Sequence, residues 1–196
     1  MSATAARDEG ELAGYEVLVA VCGGIAAYKS AQLVSMLVQH GAGVSVAMTQ
    51  AAEKFITALT FEALSARPVH TTVWQTAATP PHLSLTETAD LMIVAPATAN
   101  IIGKMACGIA DDLVSNLALS VAGPLLLAPA MNTRMWEHPA VSANIRTLVE
   151  RGCRIVGPNE GWMACRTIGK GRMSEPEEIF RDAVTILKQK SPKKHK

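Results

Sequence analysis

Aromatic side chains are scarce: three Phe, two Tyr and three Trp make up 4% of the 196 residues. Small apolar residues are abundant instead, which suits close packing of helices on a sheet. Neither sign of charge dominates. The formal net charge of +1 gives no reason to expect a nucleic-acid surface. The four cysteines, Cys22, Cys107, Cys153 and Cys165, include no CxxC pair, so their spacing gives no zinc site. Residues 1–14 are polar and mixed in charge, without the apolar core of a secretory signal. No apolar run approaches a membrane span, because Gly, Pro or a charge interrupts each one. Free thiols and no membrane segment make a reducing cytoplasm the expected compartment.

What the chain does have is 49% hydrophobic residues, enough for one well-buried domain and short for two. Short apolar runs at 15–21, 44–48, 91–95, 125–128 and 154–156 read as strands. Helical spacing fills 25–40, 49–66 (in two pieces), 101–105, 113–121, 139–151 and 175–187. Residues 68–81 read as a loop that Pro80-Pro81 stops. Repeated β-α alternation with near-continuous apolar strands predicts an α/β fold, a doubly wound parallel sheet in a single domain. The domain is expected over 14–187, with a polar tail at 1–13 and a basic, solvated tail at 188–196.

In such a sheet ligands bind beyond the carboxyl ends of the strands, and four loops fall there. Cys22-Gly23-Gly24-Ile25 lets backbone N–H groups meet an anion at a helix start, although it lacks the longer GxGxxG fingerprint and such turns also occur without ligands. Thr49 follows the second strand, either as a phosphate contact or as a helix cap. Thr98, Ala99 and Asn100 pair small size with hydrogen-bonding groups, suited to the edge of a flat ring or to a helix start. The fourth loop, 129–136, holds Ala130, two Met, one Trp and Asn132, an odd composition for a simple turn. Asn132 offers two donors and one acceptor, to a ligand or to a helix end. Together the loops outline a crevice for a phosphorylated, ring-bearing cofactor. Two further residues carry reactivity. His82 stands at a loop-to-helix boundary. Cys165 lies in a glycine-punctuated loop, expected as a hinged lid, where Arg166, Lys170 and Arg172 would favour its thiolate if near.

Gly23–Lys29 (GGIAAYK), His82, 95–100 (APATAN), 129–136 (PAMNTRMW) and Cys165 with Gly169 and 171–173 form a recognisable set. On these motifs the chain resembles the homo-oligomeric flavin-containing cysteine decarboxylases over roughly residues 16–180, and the Cys165 segment favours their coenzyme A branch. The resemblance implies a Rossmann-like (flavodoxin-like) fold, FMN as cofactor, and a homotrimer or a dodecamer built from trimers. It implies that Gly23, Gly24, Ile25 and Thr49 hold the phosphate, and that Thr98, Ala99, Asn100 and Ala130 border the flavin. His82 and Cys165 would be catalytic; Asn132 and Met135 would bind substrate. The implied reaction converts 4'-phosphopantothenoylcysteine to 4'-phosphopantetheine through a thioaldehyde and an ene-thiolate, with Cys165 supplying a proton. A separate phosphopantothenate–cysteine ligase would then supply the substrate.

Three positions depart from the family pattern. Cys22 stands for a common Ser or Thr, Arg166-Thr167 for Gly-Asp, and Asp111-Asp112 for a pair containing an amide. Two other functions fit the same motifs: decarboxylation of a peptide's C-terminal cysteine, and a non-catalytic phosphatase-regulatory role.

Overall fold

A computed structural model describes residues 10–73 and 81–193. Six strands form one fully parallel sheet: β1 (Glu16–Val21), β2 (Gly43–Met48), β3 (Val69–His70), β4 (Leu91–Ala97), β5 (Leu125–Pro129) and β6 (Arg154–Ile155). Their spatial order is β3-β2-β1-β4-β5-β6, which is the Rossmann order. Because β3 is only two residues long, the remaining five strands taken alone follow the flavodoxin order. Both descriptions of the fold therefore hold, and in both the order reverses between β1 and β4.

The helices are α1 (Ala27–Gln39), α2 (Ala58–Ser65), α3 (Pro81–Thr88), α4 (Ala99–Cys107), α5 (Leu113–Ser120), α6 (Thr133–Trp136), α7 (Pro139–Glu150) and α8 (Pro176–Leu187), with a 3-10 turn at Ala52–Lys54. Strand residues alternate between two cores because side chains alternate across a sheet. Val17, Val19, Val21, Ile93 and Ala95 pack with α1, α2 and α8. Leu18, Ala20, Met92 and Val94 pack with α4 and α5 on the opposite face. This two-sided burial explains why β1 and β4 read as continuous apolar runs. β4 continues through Pro96, past the expected end, with a register shift between Val94 and Ala97.

Both ends of the described residues are tied to the domain. Leu12 is fully buried, and its N–H donates to the His40 carbonyl at 2.9 Å. The Lys193 N–H donates to Asp90 Oδ1 at 2.9 Å, and its ammonium donates to the carbonyls of Ala89 and Glu87. Those carbonyls lie around the C-terminus of α3, where a cation is favoured. Among the described residues no helix is long and apolar enough to cross a membrane.

Candidate active site

The reversal of strand order parts the loops after β1 and β4, leaving a crevice at their carboxyl ends. A cleft of ≈ 630 Å³ occupies that place. It is lined by Gly23, Gly24 and Ile25 after β1, Thr98, Ala99 and Asn100 after β4, Ala130, Asn132 and Met135 after β5, and Cys165. These are ten of the twelve residues singled out from the sequence. Thr49 lines an adjoining cleft of ≈ 610 Å³, which shares Gly23, Thr98 and Asn100 with the first. His82 lies in the first turn of α3, and its side chain falls outside the described residues.

Steric demand separates the two glycines of the first turn. A Cβ on Gly23 would run into Ala51, so this glycine lets the loop after β2, with Thr49, approach the turn. A Cβ on Gly24 would meet only Thr98 Cγ2, at 3.7 Å. Protein packing leaves its backbone open to the cleft. The Ala26 cap of α1 makes no side-chain hydrogen bond; the Ala27 and Lys29 N–H groups donate to the Gly24 and Ala26 carbonyls at 2.9 and 3.0 Å, and the positive end of the helix lies beside the glycines. Thr49 caps the 3-10 turn: the Ala52 N–H donates to its Oγ1 at 3.2 Å. Its own hydroxyl proton is left to donate elsewhere.

Capping also orients Asn132. The Met135 N–H donates to Asn132 Oδ1 at 2.9 Å, making Asn132 the N-cap of α6. Only the oxygen can accept that bond, so the carboxamide orientation is set and both Nδ2 protons remain available. Among the described residues none accepts them. The helix-cap and ligand readings of Asn132 thus coexist, with its oxygen committed to the helix and its donors free.

The segment expected as a hinged loop is a hairpin. Residues 159–172 form an antiparallel hairpin of β7 (Asn159–Trp162) and β8 (Ile168–Arg172). Its glycines serve close packing. A Cβ on Gly171 would strike Met131 O, and one on Gly169 would strike Thr133 Oγ1. Without them, the Met131 N–H donates to the Gly171 carbonyl at 3.0 Å and fastens β8 to the Asn132 loop. At the tip, Arg166 adopts φ 63°, a left-handed conformation that glycine takes more readily. The Cys165 thiol lies 3.0 Å from Thr167 Oγ1. The expected cationic partners lie elsewhere: Arg172 pairs with Glu175, and no contact joins Arg166 or Lys170 to the thiol.

Lys29, the last residue of the GGIAAYK motif and given no role there, is 7% exposed and lines the cleft. Its ammonium lies 2.9 Å from Glu175 Oε2 and 3.3 Å from the Met173 carbonyl. Burying a cation costs several kcal/mol unless it is paired, roughly, and Glu175 supplies the pair. A lysine in the Ala-rich first turn of α1 was the available signal; its partner, 146 positions away in the chain, was not legible.

Two of the departures have structural roles. Asp112 caps α5 in a capping box with Ser115, and Lys104 reaches both Asp111 and Asp112 at 2.6 Å. Burial acts to raise the Asp112 carboxyl, but Lys104 and Ser115 outweigh it and hold it below its ordinary value. Cys22 is 2% exposed. Burial foremost, then the charge of Asp112, pushes its thiol from 9.0 up to about 12, against the Thr98 N–H and Lys104. The folded protein therefore keeps a proton that the unfolded chain loses, and this contribution to stability falls as pH rises from 9.0 to about 12. Replacing Cys22 by Ser should flatten melting temperature against pH in that window. With brief iodoacetamide treatment at neutral pH, peptide mass mapping should find the exposed Cys107 and Cys165 labelled, and the buried Cys22 and Cys153 labelled only after denaturation.

Comparison with known proteins agrees with this geometry. The Flavoprotein family profile matches residues 5–188. The coenzyme A biosynthesis bifunctional protein CoaBC of Bacillus subtilis is 48% identical over 167 residues, 84% of this chain and 41% of that protein. The chain thus spans about two fifths of the length of this curated relative. Among solved structures, the FMN-dependent cysteine decarboxylase SpaF superposes with a TM-score of 0.79 at 31% identity, covering 91% of this chain and 98% of SpaF. A PPC decarboxylase mutant complexed with pantothenoylaminoethenethiol gives 0.80 at 27% identity, covering 89% and 98%. The chain belongs to the flavoprotein family, in the group of the FMN-dependent cysteine decarboxylases.

Proposed function

We propose that this chain, with FMN bound, decarboxylates 4'-phosphopantothenoylcysteine to 4'-phosphopantetheine in coenzyme A biosynthesis. The observation that carries the reading is the convergence of three strand-end loops and the Cys165 hairpin on one cleft at the sheet's switch point. The residues present fit the cofactor. Gly24 leaves backbone open beside the positive end of α1, which has no side-chain cap, and this suits a phosphate held by Gly23, Gly24 and Ile25 with Thr49 from the adjoining cleft. Thr98, Ala99, Asn100 and Ala130 offer small side chains and polar edges to a flat ring. The charged residues lining the first cleft are Lys29 and Arg172, while Asp111 and Asp112 of the adjoining cleft are both paired with Lys104.

Bound FMN supplies a reversible oxidation of the substrate's cysteine side chain, giving the electrons of the departing carboxylate somewhere to go. Everything else falls to the chain. Asn132 directs its free Nδ2 donors at the substrate carboxylate, and Met135 offers the substrate an apolar contact. The Cys165 thiol, held by Thr167, returns a proton as the product is reduced, and His82 assists proton transfer. Ile25, Tyr28, Phe55 and Leu59 are all more than half exposed, apolar surface that a homotrimer or a larger set of trimers would cover.

The matching CoaBC relatives favour the coenzyme A branch, whereas SpaF is named only as a cysteine decarboxylase. Offering the FMN-loaded protein 4'-phosphopantothenoylcysteine and, separately, a peptide ending in cysteine decides between substrates. Release of CO2 from the first is expected; release from the peptide alone would move the chain to the peptide branch.

A further inference from the structure

We infer that Arg172 is a second carboxylate-binding residue, acting beside Asn132 on the substrate's terminal carboxylate. The inference rests on reading the cleft as a cysteine-decarboxylase site. Gly161 and Gly169 are directly paired across the hairpin, so their missing side chains would point to the same face. On that face a Cβ of Gly169 would meet Thr133 Oγ1, and a Cβ of Gly161 would lie 3.1 Å from both Cδ and a terminal nitrogen of Arg172. The Arg172 side chain therefore lies across Gly161 on the side of the hairpin that faces the Asn132–Thr133 loop. The Met131–Gly171 hydrogen bond of 3.0 Å joins the residues immediately before Asn132 and Arg172.

The chemistry of the two cleft-lining side chains, Asn132 and Arg172, agrees. Asn132 has committed its oxygen and kept its donors. Glu175 takes one guanidinium nitrogen of Arg172, and the other N–H groups have no acceptor among the described residues. Glu175 is itself fixed, its N–H donating to Glu178 Oε2 at 2.8 Å and its carboxylate pairing with Lys29. It holds Arg172 in place and offsets its charge. That offset matters, because a bare cation would favour the bound carboxylate over the departing neutral CO2. Arg172 thus contributes to binding more than to the chemical step.

The test uses FMN-loaded protein and two ligands that cannot undergo the oxidation: 4'-phosphopantothenoylserine, and its counterpart lacking the carboxylate, 4'-phosphopantothenoylethanolamine. Affinities are measured by calorimetry for wild type, Arg172→Met and Arg172→Lys. Arg172→Met should weaken the carboxylate ligand by about 10- to 100-fold, the worth of one charged hydrogen-bond pair, and leave the other ligand within about twofold. Arg172→Lys should recover part of the loss. Equal weakening of both ligands would assign Arg172 to the phosphate end or to structure, and no weakening would dismiss it; either overturns the proposal. A matched pair of peptides with C-terminal serine and C-terminal ethanolamine runs in parallel. If only the peptides bind wild type, the substrate reading fails and the Arg172 comparison is made on them. Wild type that prefers the carboxylate member of neither pair overturns the proposal.

Discussion

Asn132→Asp should leave the melting temperature unchanged and reduce kcat/KM on the order of a thousandfold or more. Asp serves as well as Asn at a helix N-cap, so the Met135 N–H keeps its acceptor and α6 its start. What changes is the face turned to the cleft. Two amide donors become a carboxylate oxygen, so the substrate's carboxylate loses its hydrogen bonds and meets a like charge, together roughly 4 kcal/mol. Asn132→Ala should differ, losing both the donors and about 1 kcal/mol of helix cap. Steady-state kinetics beside thermal melting separate the two variants. Asn132→Asp with activity within tenfold of wild type would place the substrate carboxylate elsewhere.

Gly171→Ala should detach the Cys165 hairpin from the Asn132 loop. The added carbon would occupy the space of the Met131 carbonyl oxygen, and at φ 143° the backbone is one that L residues rarely adopt. The Met131–Gly171 hydrogen bond cannot survive that displacement, and the hairpin loses its fastening to the Asn132 loop. A cost of roughly 2–4 kcal/mol is expected from strain and lost packing. Limited proteolysis should then cut within residues 159–172 well before the sheet unfolds, and Cys165 should be alkylated faster than in wild type while Cys107 is not. Unchanged cleavage and labelling would mean that the hairpin is held by something other than this contact.

The sheet and most of the cleft were legible for one physical reason. Strands buried on both faces must be apolar throughout, so β1, β2, β4 and β5 stand out as uninterrupted runs, and the loops after them mark the ligand edge. The hairpin was not legible by that signal. Its strands, NEGW and IGKGR, are short, polar and glycine-rich, and they pair with each other rather than with the sheet. Glycines 169 and 171 could be read as hinges because sequence cannot show what a missing Cβ makes room for. β3 escaped because two residues carry no period. Lys29, Arg172 and Glu175 converge only after α1, β8 and the start of α8 have packed. Motif resemblance supplied the roles of His82 and Cys165, which spacing alone left open.

The most direct test of the account is the mass of the product formed when the FMN-loaded protein is incubated anaerobically with 4'-phosphopantothenoylcysteine. The expected product is 4'-phosphopantetheine, with the carboxylate lost and the thiol fully reduced, showing that Arg166-Thr167 leaves Cys165 competent. Recovery of unchanged substrate from protein that carries its flavin would contradict it.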